Sequence, residues 1–113
     1  MQIANTSNFV SIISEEKPAM IFFHTSENES ENKKIKTAIS LVEKELPLLN
    51  VYEYHIDEND DNEFLADMLD FKKVPVLVFF KDGSLHRYKN KLFTKASITH
   101  FVGGGKTYKS EAT

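Results

Sequence analysis

Residues 71–84, FKKVPVLVFFKDGS, set the architecture of this 113-residue chain. Within them, residues 76–80 form a continuous apolar run rich in β-branched and aromatic side chains, which is typical of a strand buried on both faces. Pro75 stands at the entrance of this strand, where a missing N–H disturbs a sheet least. Asp82-Gly83 is a strong hairpin signal, so residues 85–89 are expected to return as a more polar strand.

The residues before this stretch alternate between strand and helix patterns. Residues 2–4 are expected to form a short strand, and residues 9–13 a short helix capped by Thr6 or Ser7. AMIFFH at residues 19–24 predicts a second buried strand. An amphipathic helix follows and ends at Pro47. Its apolar residues recur at the spacing of one helix face: Ile35, Ala38, Ile39, Val42 and Leu46.

The remaining elements complete an alternating order. Residues 51–57, VYEYHID, predict a third strand, and Asp60 with Glu63 predicts a capping box for a short helix. Thr94 is expected to cap a last helix, which the glycines at 103–105 stop. The predicted order β-α-β-α-β-α-β-β-α belongs to the α/β class, with a mixed central sheet and helices on both faces. We expect one domain over residues 1–103 and a flexible tail over residues 104–113.

Composition excludes several classes of function. The net charge of −3 and the isoelectric point near 5.8 argue against nonspecific nucleic-acid binding. No apolar run is long enough to span a membrane and no signal peptide is recognisable, so a cytoplasmic protein without a membrane partner is expected. The chain contains no cysteine, which excludes disulfides, thiol catalysis and thiolate metal sites. No other metal-ligand pattern is present, and neither a metal nor a cofactor is expected.

The order of elements, with Val74-Pro75 ahead of the buried strand and KDG after it, closely resembles the thioredoxin family. The likeness extends over residues 6–102, and its most specific parts are residues 19–24, 54–57 and 74–83. The resemblance implies that the bond before Pro75 is cis and that the backbone of this loop faces the former active site.

The chain departs from the family at the active site itself. Family enzymes carry Trp-Cys-x-x-Cys where the second strand meets the second helix, and the resemblance aligns Glu27 and Ser30 with the two cysteines. The family's buried acid corresponds to Ile21, and a nearby lysine corresponds to Glu53. A capping box of Ser26 with Glu29, or of Asn28 with Glu31, is expected to start the helix instead. The degenerate active-site loop therefore consists of Ser26, Glu27, Asn28, Glu29 and Ser30.

These departures predict a redox-inactive, thioredoxin-like module that binds a protein or peptide and has no catalytic residue. In the family, the groove beside the proline holds an extended peptide by backbone hydrogen bonds. Lys73 and Lys91 would favour an acidic ligand there. Besides Val74 and Pro75 of the proline loop, the residues expected to contact a partner are Thr25, Lys73, Val76, Lys91, Leu92 and Phe93.

Two alternatives stay open. One is an enzyme with non-thiol chemistry at the degenerate loop, in which His24 works with a glutamate of the helix start. The other is a structural subunit of a homo-oligomer.

Overall fold

Strands and helices alternate through residues 1–103, the part of the chain that the computed structural model describes. The predicted tail over residues 104–113 lies outside the described residues. The elements are β1 (Gln2–Ala4), α1 (Phe9–Ser14), β2 (Ala19–His24), α2 (Glu29–Glu45), β3 (Asn50–His55), a 3₁₀ turn (Ile56–Glu58), α3 (Asp60–Leu69), β4 (Val76–Lys81), β5 (Ser84–Lys89) and α4 (Lys95–Phe101).

The strands form one mixed sheet in the order β1-β3-β2-β4-β5. β3 pairs in parallel with both β1 and β2, whereas β4 pairs antiparallel with both β2 and β5. Parallel neighbours need a crossover, and the helices provide it. The tight turn between β4 and β5 gives the antiparallel hairpin that Asp82-Gly83 predicts, with both turn residues at positive φ (55° and 79°).

Helices cover both faces of the sheet, as predicted. On one face, α1 and α3 pack against side chains such as Phe23, Tyr54 and Val78. On the other face, α2 and α4 pack against Phe22, Leu77 and their neighbours. Every residue of β2 is buried, which explains why this strand is apolar from Ala19 to Phe23. No helix of the described part of the chain has both the length and the apolar character that a membrane span requires.

Two predicted helix caps are wrong, because the side chains bond differently from the sequence pattern. The first helix begins at Phe9 after Asn8, and Thr6 and Ser7 do not cap it. The turn before it is held by Asn5, whose side chain accepts from the Ser7 N–H at 2.9 Å. The third helix is capped by Asn59, which accepts from the Asn62 N–H at 2.8 Å, and not by an Asp60–Glu63 box.

The third strand is shorter than predicted. It ends at His55, and residues 56–58 turn away from the sheet as a 3₁₀ turn. Ile56 stays buried within that turn, so its apolar character does not distinguish a strand from a turn here. The Asp57 carboxylate points instead to the loop after β2, which places it at the candidate site.

Candidate functional site

Two loops meet where β2 ends and β4 begins. Phe23 pairs with Val76 in the antiparallel β2–β4 ladder, and His24 is the last residue of β2. Continuing this register by one step places His24 beside Pro75, whose preceding peptide bond is cis. The helix-entry loop, residues 25–28, therefore adjoins the proline loop, residues 72–75.

The start of α2 is built differently from the predicted capping boxes, which are wrong. The helix begins at Glu29, and the preceding Asn28 lies in the left-handed region at φ 58° without any side-chain cap. Asparagine tolerates this conformation better than most residues. Ser26 is not available as a cap, because its hydroxyl donates to Asp57 in the 3₁₀ turn after β3. Glu29 and Glu31 still place acidic groups at the positive end of the helix dipole.

Asp57, in the 3₁₀ turn after β3, forms hydrogen bonds with the helix-entry loop. Its carboxylate accepts the Ser26 hydroxyl at 2.6 Å and the Ser26 backbone N–H at 3.0 Å. The hydrogen bond from the Ser26 side chain holds the pKa of Asp57 below its usual 3.8. His55 Nε2 lies 3.1 Å from the same carboxylate, so Ser26, His55 and Asp57 form one polar cluster at this side of the site.

Asn32 of α2 holds the same loop by two hydrogen bonds. Its side-chain amide nitrogen donates to the Thr25 carbonyl at 2.9 Å and to the Glu27 carbonyl at 3.1 Å. Only 4% of Asn32 is exposed, although the residues on either side of it in α2 are exposed. The buried amide thus satisfies two loop carbonyls and fixes the path of the chain into α2.

A buried histidine and a partly exposed glutamate form a pair beside the first turns of α2. His24 Nε2 is 3.1 Å from Glu53 Oε1, and Lys36 Nζ of α2 is 3.3 Å from the same oxygen. Burial lowers the pKa of His24 below 6.5, while the hydrogen bond to Glu53 opposes that shift. The imidazole also stacks on the His55 ring at 5.0 Å between centroids. The glutamate that pairs with His24 therefore comes from β3, which corrects the expectation of one at the helix start.

The residues predicted to contact a partner fall into exposed and buried sets. Lys73 and Lys91 are exposed, and neither forms an ion pair within residues 1–103. Val74 is 43% exposed, and Leu92 is 65% exposed at φ 59°. We call these four residues the partner surface.

The other predicted contact residues are less accessible. Val76 is 1% exposed and packs into the core beneath α1 and α3, so its side chain is not available to a partner. Phe93 is half-buried and packs edge-on against Phe22 at 6.2 Å, which anchors the segment that carries Leu92. Thr25 is half-buried, and its hydroxyl accepts from the Glu27 N–H at 3.3 Å.

Glu53, Lys36 and Asn32 belong to the site, although the sequence pointed only to Glu53, as the residue that corresponds to a lysine of the resembling family, and did not predict its pairing with His24. Strand alternation placed Glu53 and His55 on one face of β3, and that was the available signal for a polar pair facing α2. The sequence gives no such signal for Lys36 and Asn32, because polar residues are common on the solvent-facing side of a helix.

The chemistry open to this site is that of hydroxyl, amide, carboxylate, imidazole and ammonium groups. The chain has no cysteine, and without a thiolate the helix start cannot carry out thiol–disulfide exchange. Within residues 1–103, no three His, Asp or Glu side chains are gathered in a way that could hold a metal ion.

Comparison with known proteins relates the chain to thioredoxins through structure alone. No family model matches the sequence, and no curated protein matches it either. Thioredoxin f2 of Chlamydomonas reinhardtii superposes with a TM-score of 0.80 at 11% identity, covering 94% of this chain and 96% of that one. Oxidised thioredoxin O2 of Arabidopsis thaliana gives 0.74 at 17% identity, with 91% of each chain covered.

A fungal protein gives the same result. Oxidised mitochondrial thioredoxin 3 of Saccharomyces cerevisiae superposes with a TM-score of 0.75 at 14% identity, covering 92% of this chain and 93% of that one. The chain therefore has the fold of the thioredoxins and lacks the cysteines on which disulfide chemistry depends.

Proposed function

We propose that the protein is a redox-inactive module that binds an extended, acidic segment of a partner protein along the proline loop. The observation that carries this proposal is the unsatisfied backbone of Val74. Neither its N–H nor its carbonyl has a hydrogen-bond partner within residues 1–103. Val74 as a whole is 43% exposed, and backbone groups without partners beside a sheet form a site where an extended peptide can add hydrogen bonds.

The side chains around Val74 suit such a ligand. Val74 and Leu92 expose apolar surface, which favours a segment that also carries a hydrophobic residue. Lys73 and Lys91 add two positive charges that have no ion-pair partner within residues 1–103, which favours acidic side chains in the partner. A cytoplasmic location and a protein partner are parts of this proposal.

The proposal is tested with a library of extended peptides bound to the full chain, followed by affinity measurements on the selected sequence. We expect acidic peptides to be selected, and Lys91→Glu and Lys73→Glu each to weaken binding about tenfold. Lys34→Glu, an exposed charge reversal on α2, is the matched control and should leave the affinity unchanged.

N-methylation of the peptide residue that faces Val74 separates backbone pairing from charge attraction. Methylation removes the donor without changing the peptide's charge, so binding should be lost if the strand-like pairing is correct. Equal affinity of the Lys91 and Lys34 variants would remove the partner surface from the proposal. Light scattering of the isolated chain shows whether the partner is a second copy, as the homo-oligomer hypothesis requires.

A further inference from the structure

Helix α3 exposes two large apolar side chains one turn apart. Phe64 is 68% exposed and Met68 is 66% exposed, and the spacing of four residues places them side by side on the helix surface. The packing of α3 against the sheet uses its opposite side, where Asn62 and Ala66 are buried. Single exposed apolar side chains are ordinary, whereas an adjoining pair rimmed by polar groups is typical of an interaction surface.

Exposed carboxylates surround this apolar pair. The helix-surface neighbours of Phe64 lie three and four residues away, and apart from Met68 they are all acidic: Asp60, Asp61 and Asp67. None of the three forms an ion pair within residues 1–103. Residues 58–71 contain no lysine or arginine that could supply one. We call these five residues of α3 the helix surface; its apolar centre has a negative rim without a counter-charge.

The chemistry of the helix surface limits its partner. The backbone groups of a helix are bonded internally, so a partner must make its contacts through side chains, unlike a strand that pairs with Val74. The carboxylates repel anionic lipid and nucleic acid and favour lysine or arginine. A second copy that used the same surface would bring acidic groups against acidic groups, which is unfavourable.

We propose that the helix surface binds a basic amphipathic helix of another protein. Phe64 and Met68 form a ridge along α3 that fits the groove between the side-chain ridges of a facing helix. At 3.6 residues per turn, Asp60 and Asp67 fall on one flank of this ridge and Asp61 on the other, so basic residues on both sides of the partner's apolar stripe meet a carboxylate. Phenylalanine and methionine suit such a contact, because the first supplies a large apolar area and the second adapts its shape.

The test is an NMR titration of the full chain with two peptides of identical leucine and lysine composition. In the first, the leucines share one face of a helix and the lysines flank it; in the second, the order is scrambled, so the charge stays and the apolar face is lost. The first should bind with a Kd on the order of 50 μM at low salt, and the second at least about tenfold more weakly. The backbone amide shifts should centre on Asp60–Leu69. Equal binding of both peptides, no binding, or shifts centred elsewhere would overturn the proposal.

Alanine variants test the apolar ridge. Phe64→Ala and Met68→Ala should each weaken binding of the amphipathic peptide about tenfold. Leu41→Ala removes an exposed apolar side chain from α2, on the other face of the sheet, and should leave the affinity unchanged. All three side chains are exposed, so the variants should keep the fold, which circular dichroism checks. An equal loss of affinity in the Leu41 variant would contradict the proposal.

Charge reversal tests the negative rim. Asp67→Lys should weaken binding about fivefold and make the remaining affinity less sensitive to salt. Glu31→Lys makes the same change in net charge at an exposed position of α2 and should have little effect. Equal effects of the two reversals would mean that net charge alone attracts the peptide, and the proposal would be wrong.

The same variants distinguish other occupants of the helix surface. The chain should not bind phosphatidylserine vesicles, and vesicle binding that Phe64→Ala abolishes would assign the surface to a membrane and overturn the proposal. Self-association in sedimentation that Phe64→Ala abolishes would assign it to a second copy, with the same consequence. The inference is independent of the partner surface, because Phe64→Ala should leave the affinity for an acidic extended peptide unchanged.

Discussion

The helix-entry loop and the proline loop adjoin each other, yet they satisfy their polar groups in opposite ways. In the first loop, Asn32 satisfies two carbonyls, and the Asp57 carboxylate accepts both the hydroxyl and the N–H of Ser26. In the second loop, the backbone groups of Val74 have no partner within residues 1–103.

This difference teaches that two adjoining loops at one end of the sheet can satisfy their polar groups independently. The helix-entry loop is held by hydrogen bonds from polar side chains that serve the fold. In the proline loop, by contrast, the backbone groups of Val74 are left without a partner within residues 1–103. Stability is therefore expected to depend on the helix-entry loop, and binding on the partner surface.

The largest expected effect is that of Asn32→Ala. The substitution removes both side-chain donors and leaves the Thr25 and Glu27 carbonyls without them, so the free energy of unfolding should fall by about 2–3 kcal/mol. Urea denaturation monitored by circular dichroism measures the change. Ser30→Ala, at an exposed position two residues earlier in α2, should change the value by less than about 0.5 kcal/mol. A similar change in both variants would mean that the loop is not held by Asn32.

Leu92→Gly tests the opposite loop, where we expect a gain in stability with a loss of binding. A leucine at φ 59° carries strain of about 1–2 kcal/mol, and the greater chain entropy of glycine offsets about 0.5–1 kcal/mol of the relief. The net gain in unfolding free energy should be about 0.5–1 kcal/mol. Affinity for the selected peptide should fall, since 65% of this side chain is exposed at the partner surface.

Asn28→Gly is the control for that substitution. Asn28 has nearly the same φ, 58°, but asparagine is less strained there, so its replacement should gain less stability than that of Leu92. It should also leave peptide affinity unchanged. Destabilisation by Leu92→Gly would show that the leucine packs in a way that outweighs its backbone conformation.

Ser26→Ala should have a smaller effect that depends on pH. The variant loses the hydroxyl bond to Asp57 but keeps the backbone N–H bond, so the unfolding free energy should fall by about 0.5–1 kcal/mol at neutral pH. The Ser26 contact lowers the pKa of Asp57 below 3.8, so its stabilisation is present above pH 3.8 and disappears as the pH falls through the lower, folded-state value. Urea curves of both proteins should therefore converge in acid, and a difference that persisted there would rule out Asp57 as the partner.

The pH dependence of the native protein tests His24. Burial lowers its pKa in the folded state, so the unfolded chain binds more protons as the pH falls through 6.5, and stability should decrease over that range. His24→Gln should remove this part of the slope in urea denaturation measured from pH 7.5 down to about pH 5.5. His100→Gln, at an exposed position of α4, should leave the slope in place. An unchanged slope in the His24 variant would contradict the prediction.

Much of the fold follows from local pattern. The apolar runs of β2 and β4, the Asp82-Gly83 turn and the 3.6-residue period of α2 each report a physical requirement of the element that contains them. Their order leaves few topologies, because parallel strands need crossovers and a tight turn gives an antiparallel pair. The absence of cysteine is also complete in the sequence, and it excludes thiol chemistry by this chain without any coordinates.

The candidate site depends on contacts between residues far apart in the chain. Glu53 is 29 residues from His24, and Asp57 is 31 residues from Ser26, so these pairs exist only through the register of β2 and β3. Local rules favoured capping boxes at the start of α2, yet the long-range bond to Asp57 engages the Ser26 hydroxyl. Local pattern reports which side chains each element must bury, whereas the partner of each polar group is settled only when the packed sheet brings distant donors and acceptors within bonding distance.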